Sequence, residues 1–161
     1  MKGNDRKIIE HYELKPHPEG GWFKRTYSSQ EKIKLVRGER ICGSSILYYL
    51  SKGEKSRLHF LDSDEAWYFH FGSPVRLHLF YQGSYRSVLL GNSFDNKEVV
   101  QYTIKRGTVF GAELENDYGS LMSCSVCPGF DERDFYWGDK NNLLSEYPKQ
   151  ADIIDRLGVV N

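Results

Sequence analysis

Residues 53–72 read GEKSRLHFLDSDEAWYFHFG and set one imidazole, His59, near one carboxyl, Glu65, among aromatic neighbours. An imidazole with an ordinary pKa of about 6.5 can take and return a proton at neutral pH. A carboxyl beside it can share that work, or the two can be part of a metal site. Read as a strand, EAWYFHF puts Glu65, Trp67, Phe69 and Phe71 on one face and Ala66, Tyr68 and His70 on the other. If Glu65 faces inward, the rings face inward with it. His59 and Leu61 then join from the preceding strand, and Phe110, Ala112 and Leu114 from TVFGAEL. A buried histidine and a buried glutamate on one face are costly unless used or paired, so the pattern predicts an aromatic pocket with a few polar groups.

The segments that must position these residues are short. NDRKIIEHYEL carries Ile8, Ile9 and Tyr12 on one helical face, with Asn4 or Asp5 as a cap and Pro16 as a stop. From Gly21 to Trp137 the texture changes to β-branched and aromatic runs bounded by Gly, Ser, Asn or Asp. Nine strands are expected: WFKRTYS, SSILYYL, SRLHF, AWYFHF, VRLHLFY, YRSVLL, VVQYTI, TVFGAEL and SLMSCSVC. YQGSY and ENDYG join neighbours at hairpin length. KNNLLSEY is weakly helical, and PKQADIIDRL opens on Pro148 with Ile153, Ile154 and Leu157 on one face. The pattern predicts one all-β domain over 1–161, a sandwich or small barrel with short N- and C-terminal helices.

Composition excludes several classes of function. Lys plus Arg and Asp plus Glu stand at 22 each, so no net charge draws the chain to nucleic acid or an anionic membrane, and neither is expected as a partner. Lys24, Arg25, Lys32, Lys34, Arg37 and Arg40 crowd the N-terminal third and read as solvated surface charge. No apolar run approaches the roughly 20 residues that span a bilayer, and the charged start predicts neither a signal nor an anchor, so cytoplasm is the expected compartment. Three cysteines cannot all pair; Cys124 and Cys127 lie in a strand without a second pair to complete a zinc site and are expected as small core residues. His11, His70 and His78 are expected to be solvated.

The interval from Gly53 to His59, Glu65 and Gly72 resembles the first motif of the cupin superfamily, GxxxxxHxHxxxExxxxxxG, with Leu61 in place of the second histidine. IKRGTVFGAEL resembles part of the second motif, with Gly107 kept, Lys105 for its proline and Phe110 for its histidine. The resemblance implies a double-stranded β-helix, the cupin jelly roll, with His59 and Glu65 inside. An ion held by those two alone would need water or other donors, so no metal and no cofactor is expected. HPEGGWFKRTYSS, HFLDSDEAWYF, LLG and VCPGFDERDF resemble an uncharacterised cupin branch, a domain of unknown function. That implies a homodimer, which would also cover edge strands, and an internal pocket of unestablished ligand.

A weaker similarity links SRLHFL and EGGWFKRTY to sugar-nucleotide 3,5-epimerases, which use no metal. It implies His59 as the base, with Glu65, Glu113, Tyr48 and Tyr102 as candidate partners. Gly20 and Arg25 stand where those enzymes carry arginine and glutamate. In HPEGG, Pro18, Gly20 and Gly21 read as a turn, whose His17 and Glu19 are either its polar edges or ligand contacts. In VCPGFDERDF, Asp131, Glu132 and Asp134 are expected as a solvated acidic rim. The expectation is a small-molecule pocket for a sugar or sugar nucleotide with isomerase or epimerase chemistry. His59 and Glu65 are its catalytic pair; Trp67, Phe69, Phe110, His17, Glu19 and Tyr48 are its binding residues. A binding or sensor module without turnover and a metal-dependent oxygenase are the alternatives.

Overall fold

The computed structural model describes residues 3–159. The chain runs through α1 (Gly3–His11), β1 (Lys15–Pro16), β2 (Trp22–Ser28), β3 (Lys32–Leu35), β4 (Gly38–Ile41), β5 (Ser44–Leu50), β6 (Lys55–Leu61) and β7 (Asp64–Gly72). It continues through β8 (Val75–Tyr81), β9 (Ser84–Leu90), β10 (Gln101–Ile104), β11 (Val109–Leu114) and β12 (Ser120–Cys127). A 3₁₀ turn (Glu132–Asp134), β13 (Phe135–Trp137), α2 (Lys140–Glu146), a second 3₁₀ turn (Pro148–Gln150) and α3 (Ala151–Leu157) follow.

The strands form a six-stranded sheet in the order β1-β2-β5-β12-β7-β10 and a five-stranded sheet in the order β13-β6-β11-β8-β9. Neighbouring strands pair antiparallel throughout both sheets. This is the jelly roll. Period-two alternation sorts side chains into three layers. Tyr48, Trp67, Met122 and Cys124 from one sheet meet Leu77, Leu79, Phe110 and Ala112 from the other between the sheets. Tyr49 and Leu121, one residue out of phase, point outward and bury against Ile9 and Leu14 beneath α1. Leu58 and Phe80 do the same on the other side, under Leu143, Tyr147, Ile154 and Leu157.

All nine expected strands are present. β3 and β4 were not anticipated, because Lys32, Ile33 and Lys34 are exposed and the hairpin pairs only with itself. Asp5 lies inside the first turn of α1, where its carboxylate accepts the Tyr49 hydroxyl at 2.8 Å, so it anchors the helix to the sheet rather than capping it. Pro148 opens a 3₁₀ turn that leads into α3.

Four other expectations are corrected. Phe71 is exposed: the register slips between Leu121 and Met122, leaving His70 as an extra residue and turning Phe71 to the outer face opposite Leu121. His78 is buried on the outer face of the five-stranded sheet, bonded to Tyr85 and Glu113. Cys127 is exposed, whereas Cys124 is buried. Arg40 and Asp134 are not solvated: Arg40 grips Asp134 through two nitrogens at 2.7 and 2.8 Å, with Arg37 at 3.1 Å, and clips the segment before β13 to the β3–β4 hairpin. No helix among the described residues is long and apolar enough to cross a membrane.

Candidate functional site

The HPEGG segment between β1 and β2 folds back on itself, with Gly20 N–H donating to His17 O and His17 N–H to Gly21 O. Gly20 and Gly21 have φ of +108° and +73°, which favour glycine. A Cβ on Gly20 would collide with the Lys55 carbonyl, and one on Gly21 would lie 2.7 Å from the Tyr49 carbonyl oxygen. The glycines therefore let the loop lie flat against the chain's own strands. Two further bonds fix it: Arg57 N–H donates to Glu19 O at 2.9 Å, and the Tyr48 hydroxyl donates to Gly20 O at 2.7 Å. The result is that Glu19 is driven into the barrel, 8% exposed.

Glu19 and Glu65 line one cavity of about 460 Å³, together with His17, Tyr48, Trp67 and Cys124. That volume is ordinary for a small-molecule site, which spans roughly 300–1,000 Å³. Phe23, Arg25, Phe130, Glu132, Phe135 and Trp137 also line it. The lip is held by the Arg40–Asp134 clip, since Phe130, Glu132 and Phe135 flank Asp134 in sequence.

His59 stands behind Glu19 and does not line the cavity. Its Nδ1 lies 2.6 Å from Arg57 O; a carbonyl only accepts, so Nδ1 carries the proton. Nε2 is then bare and lies 3.3 Å from Glu19 Oε2. Burial lowers the His59 pKa to about 4, opposed by the Arg57 carbonyl and aided by His17. Glu19 is pushed well above the usual carboxylate range by burial first and then by the charge of Glu65, with the Ser56 hydroxyl offsetting part of it. Hence burial favours the neutral form of both groups, imidazole and carboxyl. Glu65 is raised to about 7 by burial, and the nearby Trp67 and Cys124 side chains only partly offset this. His17 falls to about 4, through burial and then the charge of Arg25.

Glu65 Oε2 and Trp67 Nε1 belong to residues that line the cavity but are themselves buried without a hydrogen bond of full geometry, although Trp67 lies near enough to the Glu65 carboxyl to lower its pKa. Tyr48 differs, because its hydroxyl is committed to the loop and its pKa is raised well above 10 by burial. Phe69 is half-buried and packs on the inner core. Phe110 is buried with its ring centroid 4.2 Å from that of His59, where it holds the imidazole plane. Among the predicted residues, then, the fold gathers His17, Glu19, Tyr48, Glu65 and Trp67 on the cavity wall, with His59, Phe110 and Phe69 behind it. Arg25, Cys124, Phe135 and Trp137 were not anticipated there. Only the alternation of WFKRTYS, which puts Phe23 and Arg25 on one face, could have pointed to Arg25.

The residues do not suit a metal centre. Leu61 and Phe110, at two of the four positions where the resembled motifs carry ligands, offer no lone pair. No cluster of three or more His, Cys, Asp or Glu among the described residues could hold an ion.

A fold of two antiparallel sheets around an internal pocket defines a cupin-type protein, and the comparisons agree. The family model for the cupin superfamily (DUF985) matches residues 6–137, and the chain belongs to that family. A protein from Shewanella oneidensis is similar along its whole length, with 31% identity, a TM-score of 0.90 and coverage of 100% of both chains. A hypothetical protein from Leishmania major has 31% identity and a TM-score of 0.88, covering 96% of this chain and 98% of its own. The oxalate decarboxylase of Bacillus subtilis shares the fold alone, at 16% identity and a TM-score of 0.57 over 88% of this chain and 36% of its own. Among curated proteins, none matches.

Proposed function

We propose that the cavity binds a small polar molecule and shifts a proton on it without a metal, as an isomerase or epimerase does. The observation that carries this reading is a ligand-sized cavity lined by two buried carboxyls, Glu19 and Glu65, with the Trp67 indole among their neighbours. Buried carboxyls cost free energy unless paired or used, and the hydroxyl and carbonyl groups of a bound molecule would give them partners. Burial raises the proton affinity of both carboxyls, which brings them toward the range of general acids and bases at neutral pH. Glu65, near half-ionised at neutral pH, takes the proton from a carbon next to a carbonyl. Glu19 gives its proton to the carbonyl oxygen, leaving an enediol. Glu65 then returns its proton to the neighbouring carbon while Glu19 takes one from the other enediol oxygen, which restores both carboxyls and releases the isomer. His59 is a positioning residue: it faces Glu19 and keeps the acid's proton site defined.

The test is carbon-bound hydrogen exchange in deuterated water, followed by NMR over ketoses and aldoses. The native protein is expected to exchange at least one of them, and Glu65→Gln to slow that exchange roughly 10²- to 10⁴-fold. Equal rates in the two proteins would refute the proton-transfer role. The aromatic lip of Phe130, Phe135 and Trp137 favours a second reading, a binding module without turnover. Ligands that raise the melting temperature while exchanging no hydrogen would support it. A homodimer is part of the proposal, on the resemblance and on the open sheet edges; a monomeric mass in solution would remove it.

A further inference from the structure

The mouth of the cavity holds a cation without an anion. Arg6, Arg37, Arg40, Arg76, Arg133 and Arg156 each grip a carboxylate. Arg25 lines the cavity, and among the described residues no carboxylate pairs with it. Its guanidinium instead lies 5.7 Å from the centroid of the Phe130 ring at the lip. Stacking on a ring orients the guanidinium plane and leaves its N–H edge free for a planar or tetrahedral anion. Glu132 lines the same cavity but makes no ion pair with Arg25.

Donors continue the same polarity inward. His17 Nδ1 accepts the Glu19 amide at 3.3 Å, so the proton of the neutral ring sits on Nε2 and makes it a donor. The Trp67 indole lies close enough to the Glu65 carboxyl to lower its pKa, so the two form one polar face on residues that line the cavity. Burial pushes the Glu19 pKa up and favours its neutral form, and no ion pair joins it to Arg25. A ligand suited to this wall has hydroxyl and carbonyl groups at one end and a negative charge at the other.

We infer that the ligand is an anionic polyol, a carboxylated or phosphorylated sugar-like molecule whose anion rests on Arg25 while its oxygens meet Glu65 and Trp67. This rests on the reading of the cavity as a small-molecule site. Titration calorimetry on the intact protein with glucose, gluconate, glucose 6-phosphate, fructose and fructose 6-phosphate tests it and separates the two anions. At least one anion is expected to bind about tenfold or more tightly than its neutral parent, with an advantage that shrinks at high salt. Arg25→Gln is expected to bring that anion down to the affinity of the parent. Arg25→Lys should keep part of the advantage for a phosphate and less for a carboxylate. Equal binding of anion and parent, an advantage that survives Arg25→Gln, or no binding by any of the three anions overturns the inference. An anion that binds through Arg25 yet exchanges no hydrogen would end the isomerase reading and leave the ligand class standing. Exchange of neutral sugars untouched by Arg25→Gln would end the ligand class alone.

Discussion

Two buried histidines each face a glutamate in this molecule, and their surroundings drive the two glutamates in opposite directions. His59 lies 3.3 Å from Glu19 between the sheets, and His78 lies 3.1 Å from Glu113 on the outer face of the five-stranded sheet. Both rings are nearly sealed, 2% and 3% exposed. Glu113, however, also receives Arg156 of α3 through two nitrogens at 2.6 and 2.8 Å. Bonds from His78 and then Arg156 hold its pKa down at about 2. Glu19 has no guanidinium and has Glu65 for a neighbour, so burial prevails and its pKa is pushed up. A guanidinium turns a histidine–glutamate pair into an anchor between helix and sheet; without it, the same pair stores a proton beside a cavity.

That contrast can be broken by substitution. The largest effect is expected in the chemistry: Glu19→Gln should slow hydrogen exchange by roughly 10²-fold or more, whereas Glu113→Gln should leave it unchanged. Comparable losses from both would mean that the outer pair acts on the site. Stability should then move in opposite directions. The pKa of Glu65 rises from 4.5 to about 7 on folding, so its contribution is fully present below 4.5 and is lost as pH climbs through 7. Glu65→Gln should therefore match the native protein in urea at about pH 4 and exceed it by up to about 3 kcal/mol at about pH 8. A gap of constant size across that window would contradict the raised pKa.

Glu113→Gln is expected to cost about 1 kcal/mol at neutral pH, the full shift being discounted for solvent screening. Its pKa falls from 4.5 to about 2, so that stability is present above 4.5 and fades as pH drops toward 2, where the variant and native curves should converge. The smallest effect is spectroscopic. His17 and His59 should titrate near 4 by NMR, and Arg25→Gln should move His17 upward while leaving His59 nearly in place, because the charge of Arg25 depresses only the former. Both rings are depressed from 6.5, so their stability is present above 6.5 and is lost toward 4, and the variant should tolerate acid slightly better.

Much of the scaffold was legible because alternation is local. VRLHLFY shows Leu77 and Leu79 on one face and Phe80 on the other without any knowledge of what covers them, and both faces are filled. The bulge at His70 was not legible, since it depends on how β12 pairs, and that slip alone carried Phe71 outside. His78 looked like a lone surface ring because its cover comes from Glu113 and Tyr85, distant in sequence. Glu19 was readable only as a candidate: its turn was evident from Pro18, Gly20 and Gly21, but its depth depends on Tyr48 and Arg57 pulling the loop inward.

By itself the sequence determined the sheet-forming runs, the aromatic lining beside Glu65 and the absence of two metal-ligating side chains at Leu61 and Phe110, all of which follow from residue type and a repeat of two. Only the tertiary structure decided that Glu19, and not His59, meets the cavity, and that Arg25 stands at its mouth without a carboxylate partner among the described residues. Proton affinities and ion pairing depend on which groups lie within a few ångströms and how much water remains around them, and neither distance is written in the order of the chain.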